Sequence, residues 1–152
     1  MASAKNSFLS ALRFDFLPAN VDLGLLLLRL WLGLTMALNH GWQKVALFQQ
    51  DPSKSFGDPL GIGATPSLGL TVFAELGASI LLILGLFTRF ASLTLAITMA
   101  VAFFMVHKAA LQGPASGELA LIYLAGYVTL FLTGPGRFSL DGGKKTPTTR
   151  PR

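Results

Sequence analysis

Four long apolar stretches dominate this sequence of 152 residues. They run over about residues 23–44, 67–86, 89–108 and 118–134. A helix that crosses the hydrocarbon core of a bilayer needs about 20 mostly apolar residues, and each stretch is near that length. We therefore predict an all-α integral membrane protein, in which residues 23–138 form a bundle of four transmembrane helices.

The composition supports this class and excludes several others. Only 12% of the residues are charged, and none is Cys. A typical soluble domain has about 25% charged residues, so a soluble domain and a disordered chain are both excluded. The absence of Cys excludes disulfides, thiolate metal sites, iron–sulfur clusters and thiol nucleophiles. We find no phosphate-binding loop, nucleophile elbow, metalloprotease motif or flavin motif.

The segments outside the four stretches have their own character. Residues 1–22 form an N-terminal arm, which fits either a short interfacial helix or a loosely ordered tail. We do not expect this arm to be a signal peptide, because no cleavage site follows a suitable apolar core and Arg29 interrupts the next run. The outer loop 45–66 is long and rich in Gly and Pro, as functional lids are. Residues 139–152 are predicted to be a basic disordered tail.

The distribution of cationic residues predicts the orientation in the membrane. Four spans put both termini on one side. That side would hold Lys5, Arg13, Arg89, Arg137, Lys144, Lys145, Arg150 and Arg152, and the other side Lys44, Lys54 and Lys108. The positive-inside rule then places both termini in the cytoplasm, in a bacterial inner membrane. Lipid headgroups explain the basic tail, and no nucleic acid is expected as a partner.

Ionisable and small residues in the stretches fall on distinct helix faces. Ionisable groups inside a membrane are costly, and they are candidates for function. In the first stretch, five residues follow one another at helical spacing and form a stripe on one face: Arg29, Gly33, Met36, His40 and Lys44. Trp31, Leu32 and Leu34 lie off this stripe and are expected to meet lipid. The second has the row Thr71, Glu75 and Ser79; the third has Thr88, Ser92, Ala96 and Ala100, which His107 continues. We expect these rows to face the interior.

Two polar arrangements follow from the depth of these residues, at about 1.5 Å of helix per residue. The first is a structural ion pair between Arg29 and Glu75 near the membrane centre. The second is an outer polar layer of His40, Lys44, His107 and Glu118 under the outer loop. Side chains lean toward the N-terminus of their helix, so Arg29 leans toward the cytoplasm and Glu75 leans outward. Glu75 therefore has an alternative place beside His40 in the outer layer.

Several kinds of chemistry fit the outer layer. A His beside a carboxylate at the membrane edge suits a quinone or quinol, because it can donate a hydrogen bond and exchange a proton. His40 and His107 are on different helices at similar depth, so they fit axial ligation of a haem. No other metal site is predicted. A Lys and a His under a loop also suit an anion. A purely structural role for the same residues remains an alternative.

Several short motifs make the chain resemble the DoxX family of small four-helix bacterial membrane proteins. They are LRLWLG at 28–33, HGWQK at 40–44, ELGA at 75–78, LGLFTR at 84–89, GELA at 117–120 with Tyr123, and GPGRFSLD at 134–141. The resemblance covers about residues 23–141. It implies a four-helix bundle in which the family pattern singles out Arg29, His40, Lys44, Glu75, Arg89, His107 and Glu118.

The resemblance also implies a redox role. Family members are associated with thiosulfate:quinone oxidoreductase, and mycobacterial relatives are described as membrane anchors that assemble soluble redox enzymes against oxidative stress. We therefore expect a membrane subunit of an oxidoreductase system, with quinone as the candidate cofactor and with protein partners in a membrane complex. The alternatives are a non-catalytic scaffold or accessory subunit and, ranked below it, a small transporter.

Overall fold

The computed structural model describes residues 10–144, and all regular structure in that range is helical. The four long helices are α1 (Val21–Gln49), α3 (Ala64–Leu84), α4 (Thr88–Val106) and α5 (Glu118–Thr133). The single turn α2 (Pro52–Ser55) lies in the loop between α1 and α3. Residues 1–9 of the N-terminal arm and residues 145–152 of the predicted tail lie outside the described residues. Residues 10–12 form a short helical turn. Residues 139–142 of the predicted tail are ordered by the hydrogen bonds described below.

The length and composition of the helices make this a membrane protein. α1, α3 and α4 are long and apolar enough to cross a bilayer, and α5 is a shorter apolar helix. The prediction of an all-α membrane fold is thus confirmed at this level. α1 continues into the stretch expected to be the outer loop and ends at Gln49, and α3 begins at Ala64. The loop between them therefore covers residues 50–63 and is shorter than the predicted loop 45–66.

Local signals explain where the helices begin and end. The Asn20 side chain accepts a hydrogen bond from the Leu23 amide at 3.0 Å, which caps the start of α1. α3 ends at Gly85, whose φ of +67° is the left-handed conformation that glycine adopts without strain. The chain then enters α4 at Thr88. This tight turn makes α3 and α4 antiparallel neighbours, as their short connection predicts.

The predicted stripe of α1 faces the interior, while other residues of α1 face outward. Arg29, Gly33 and Met36 are buried, and Trp31 is 73% exposed on a surface that meets lipid. The expectation that Leu32 meets lipid is wrong, because its side chain is only 7% exposed. α5 packs against that side of α1, where the Tyr127 hydroxyl donates to the Leu32 carbonyl at 3.3 Å.

Glycines allow α1 and α3 to touch backbone to backbone. A Cβ atom added at Gly41 would lie 2.7 Å from the carbonyl carbon of Glu75, and one at Gly33 would lie 2.6 Å from Cγ1 of Ile83. The contact at Gly41 is with the backbone of α3, so only glycine fits there. At Gly33 the Ile83 side chain would have to shift. The crossing at Gly41 places the backbone of Glu75 directly against the C-terminal half of α1.

We call the end of the bundle where α1 begins and α5 ends the base, and the opposite end, with residues 50–63, the loop end. At the base, the Arg29 guanidinium donates to the carbonyl oxygens of Pro135 at 2.9 Å and Phe138 at 2.6 Å. The expected ion pair between Arg29 and Glu75 is therefore wrong. The Arg29 side chain points toward the start of its own helix, as long side chains in helices do, and away from Glu75.

A second set of hydrogen bonds ties residues 134–142 to the rest of the base. The Arg137 amide donates to Asp22 Oδ1 at 2.8 Å. The Asp141 carboxylate caps α4, accepting from the Thr88 amide at 2.8 Å and from the Phe87 amide at 3.1 Å. Burial alone would raise the pKa of Asp141, but these hydrogen bonds outweigh it and lower the pKa below its usual value. We call residues 134–142 the strap, because they join α1, α3, α4 and α5.

Candidate functional site

Three helices contain a stretch of π-helix at the loop end, and each stretch carries or precedes an ionisable residue. The stretches are Ala37–Gly41 in α1, Phe73–Ala78 in α3 and Ala102–Val106 in α4. His40 lies in the first and Glu75 in the second, and His107 follows the third. π-Helical turns are rare and occur frequently at functional sites. The stretches of α1 and α3 contact each other, and His40, Glu75 and His107 line one cavity, so this part of the bundle is the candidate site.

Glu75 and Lys44 form a salt bridge at the centre of this site. Glu75 Oε2 lies 2.5 Å from Lys44 Nζ, and the two side chains are 7% and 23% exposed. A lysine near the end of α1 can extend toward water, whereas the carboxylate stays inside the bundle. Glu75 Oε1 accepts no hydrogen bond from the described residues. The pair therefore keeps acceptor and donor capacity for a further group.

His40 stands between this pair and two stacked tyrosines. Its ring meets the ring of Tyr123 edge-on, with centroids 5.9 Å apart. Tyr123 stacks on Tyr127 at a centroid distance of 5.9 Å and an interplanar angle of 20°. Sequence reasoning did not single out Tyr123 as a site residue. The available signal was its helical spacing with Ala120 and Tyr127, which places all three on the interior face of α5.

His107 belongs to the site, but Glu118 does not. The ring nitrogen Nδ1 of His107 lies 2.9 Å from the Ala115 carbonyl oxygen, and the residue is partly buried. Glu118 is exposed, and it is not among the residues around the cavity described below. At 3.6 residues per turn, Glu118 lies on the opposite side of α5 from the buried Ala120. Of the predicted outer layer, the structure thus brings together His40, Lys44 and His107, and Glu75 joins them in place of Glu118.

These groups line a cavity of about 660 Å³ at the loop end. Its walls come from all four long helices, and most of them are apolar side chains. Residues of the loop between α1 and α3 also line it, among them Phe56, Pro59 and Leu60. Leu70, Phe73 and Ile97 also line it, and they are exposed on the outer surface of α3 and α4. The cavity is therefore open to the surface beside these two helices, among exposed apolar side chains.

Asp58 holds the covering loop against the start of α3. Its carboxylate accepts from the Ser67 hydroxyl at 2.7 Å, from the Gly63 amide at 2.7 Å and from the Ile62 amide at 3.1 Å. The hydrogen bond from Ser67, followed by those from the two amides, lowers the pKa of Asp58 below its usual value. The cover over the cavity is thus an ordered structure in the described chain.

The arrangement suits an amphiphilic ligand. Cavities of about 300–1,000 Å³ with mostly apolar walls and a few polar groups are typical binding sites for small molecules. Here the charged and imidazole groups are Lys44, Glu75, His40 and His107, and most of the remaining wall is apolar. A ligand with a polar ring and an apolar tail would find a matching surface for each part.

The fold and this site define a small helical membrane protein with a partly polar cavity in one half of its bundle. A family model described as DoxX matches residues 24–108, which is more than half of the chain. The protein therefore belongs to the DoxX family. The matched segment contains His40, Lys44, Glu75 and His107, and it ends before Tyr123.

A curated relative agrees with this assignment. It is an uncharacterized protein of Haemophilus influenzae, 38% identical over 111 residues, which cover 70% of this chain and 80% of the relative. No solved structure matches the chain.

Proposed function

We propose that this protein is the membrane subunit of an oxidoreductase system and that its cavity binds the ring of a lipid-soluble quinone or quinol. One observation carries the proposal: an apolar cavity, open to the lipid-facing surface, has a salt bridge and a histidine with unused hydrogen-bonding capacity on its inner wall. A quinone reaches its site through the membrane, so a lateral opening is the entrance that it needs.

The polar groups match both redox forms of such a ring. The carbonyl oxygens of a quinone accept hydrogen bonds, which the Lys44 ammonium and a ring N–H of His40 can donate. The hydroxyl groups of a quinol donate, and the free oxygen of Glu75 can accept. Hydrogen bonds to charged groups are stronger than those between neutral groups, so the Lys44–Glu75 pair favours a ring with polar edges over a plain hydrocarbon.

The charge distribution supports an orientation for this site. With Arg13, Arg89 and Arg137 at the base, the positive-inside rule places the base and both termini in the cytoplasm. The cavity then lies in the outer half of a bacterial inner membrane. A redox partner that supplies or removes electrons would dock on the outer side, near the loop.

The experiment is a measurement of quinone content and quinone affinity. The protein is purified in mild detergent from quinone-replete membranes, and bound lipophilic molecules are extracted and identified by mass spectrometry. We expect stoichiometric quinone in the wild type. Glu75→Gln removes the charged acceptor for a quinol hydroxyl, so we expect about tenfold weaker binding of added quinol.

Glu118→Gln is the matched control, because it removes the same charge from an exposed position away from the cavity. Its affinity should equal that of the wild type. Equal weakening by both variants, or a wild type that neither retains nor binds quinone, refutes the proposal. The second result would favour the accessory or scaffold role. An absorbance spectrum of the same sample tests for a haem held by His40 and His107.

A further inference from the structure

We propose that the hydroxyl of Tyr123, whose ring meets that of His40 edge-on, is the group that recognises a carbonyl oxygen of the ring bound in the cavity. The inference rests on the proposed quinone site and deepens it, since it names a residue that determines specificity. It depends on three observations: where the hydroxyl lies, how firmly the ring is held, and how Tyr123 differs from its neighbour Tyr127.

The position of the hydroxyl follows from burial and hydrogen bonding. Tyr123 lines the cavity, and only 7% of its surface is exposed. Its hydroxyl has no hydrogen-bond partner in residues 10–144. In that range, the fully buried polar side-chain atoms without a partner are Arg29 Nε and Ser79 Oγ, and the Tyr123 hydroxyl is not among them. The hydroxyl oxygen therefore borders open space, and the cavity is the open space that Tyr123 lines.

Two neighbours hold the ring of Tyr123 in place. One face stacks on Tyr127, which is fully buried, and the ring meets His40 edge-on. Tyr127 is itself fixed by its hydrogen bond to the Leu32 carbonyl. A side chain held in this way loses little conformational entropy when a ligand binds, so its hydrogen bond contributes fully to affinity.

The chemistry of the hydroxyl fits a ring that changes its redox state. A tyrosine hydroxyl both donates and accepts. It can donate to a quinone carbonyl and accept from a quinol hydroxyl without moving its oxygen. His40 has the same double capacity at its two ring nitrogens, and it accepts or donates no hydrogen bond among the described residues. Together they form a neutral polar edge beside the charged Lys44–Glu75 pair.

The two stacked tyrosines supply a matched pair of variants. Tyr123→Phe removes the hydroxyl that faces the cavity, while Tyr127→Phe removes one that is already bonded to Leu32. Both substitutions keep the aromatic stack. A loss of affinity in the first variant alone therefore reports the hydroxyl and not the packing. Circular dichroism at rising temperature checks that both variants are folded.

The test uses two probes and the full-length protein in detergent. The first probe is a benzoquinone with a decyl tail, and the second is decylbenzene, which has no carbonyl group. Affinities are measured for the wild type and both variants. We expect Tyr123→Phe to bind the quinone about tenfold more weakly, as the loss of one hydrogen bond implies, with unchanged affinity for decylbenzene. Tyr127→Phe should bind both probes like the wild type.

The outcomes separate this inference from the proposed function. If the wild type does not prefer the quinone over decylbenzene, the proposed function fails and the inference fails with it. If the wild type shows that preference and Tyr123→Phe keeps it in full, only the role of Tyr123 is overturned. Equal losses in Tyr123→Phe and Tyr127→Phe also overturn it, because they would show an effect of the stack.

Discussion

Replacement of Arg29 by Met should destabilise the protein strongly. Arg29 is 1% exposed, and its guanidinium donates two hydrogen bonds to carbonyl oxygens of the strap. Hydrogen bonds from charged donors contribute about 1.5–3 kcal/mol each, so two of them give a gross loss of about 3–6 kcal/mol. Removing a buried charge relieves its desolvation and recovers part of that loss. We expect a net decrease of about 2–4 kcal/mol in the free energy of unfolding.

Arg29→Lys separates the effect of charge from that of geometry. Lysine keeps the positive charge, but a single ammonium on a flexible chain does not reproduce the planar fork that spans two carbonyl oxygens. We expect Arg29→Lys to lower the free energy of unfolding by roughly half as much as Arg29→Met. The order of stability should therefore be wild type, Arg29→Lys, Arg29→Met.

The assay is equilibrium unfolding in mixed micelles with increasing SDS, followed by circular dichroism. Arg137→Met is the control, since Arg137 belongs to the same strap, is exposed, and contributes only its amide to the contact with Asp22. Surface substitutions of this kind change stability by less than about 0.5 kcal/mol. The reasoning is refuted if Arg29→Met is as stable as Arg137→Met, or if Arg29→Lys is the less stable of the two Arg29 variants.

Two further substitutions test the close helix contact and the cap of α4. Gly41→Ala should cost about 1–3 kcal/mol in the same unfolding assay, because its Cβ would press on the Glu75 backbone, whereas Gly24→Ala, which meets open space, should cost nothing. Asp141→Asn should cost about 1 kcal/mol at neutral pH. Because the folded state lowers the pKa of Asp141, its contribution is complete above the ordinary value of about 3.9 and is lost as the pH falls through the lower folded value. Wild type and Asp141→Asn should thus converge in acid; a difference that does not depend on pH would contradict this explanation.

The helices and their inward faces were predictable, because both depend on local patterns. Apolar length predicts the spans, and helical spacing predicts that Arg29 and Met36 point inward while Trp31 points outward. Leu32 escaped this reasoning because its burial depends on the neighbouring helix α5. Periodicity shows that a helix has an inner face, but the width of that face depends on how many helices pack around it.

The polar partners were harder to predict. The pairing of Arg29 with Glu75 was predicted from the depth of their backbones in the membrane. The charged end of a long side chain can lie far from the depth of its own backbone. The direction in which side chains lean favoured the alternative, in which Glu75 joins the outer residues, and the structure pairs it with Lys44. The π-helical stretches had no local signal at all. They occur where tertiary packing brings helices unusually close, as Gly41 does against Glu75.

The two ends of the bundle use polar groups in opposite ways. At the base, the Arg29 guanidinium donates hydrogen bonds to the strap, and the Asp141 carboxylate of the strap accepts them from α4. These bonds join the helices. At the loop end, Glu75, His40 and Tyr123 retain hydrogen-bonding capacity toward a cavity. Unsatisfied polar groups inside a membrane protein are costly, so the open hydrogen-bonding groups around the cavity fit the proposal that a ligand completes them. A rigid base then holds the less satisfied end in shape, which is the division expected when one half of a small bundle carries stability and the other carries function.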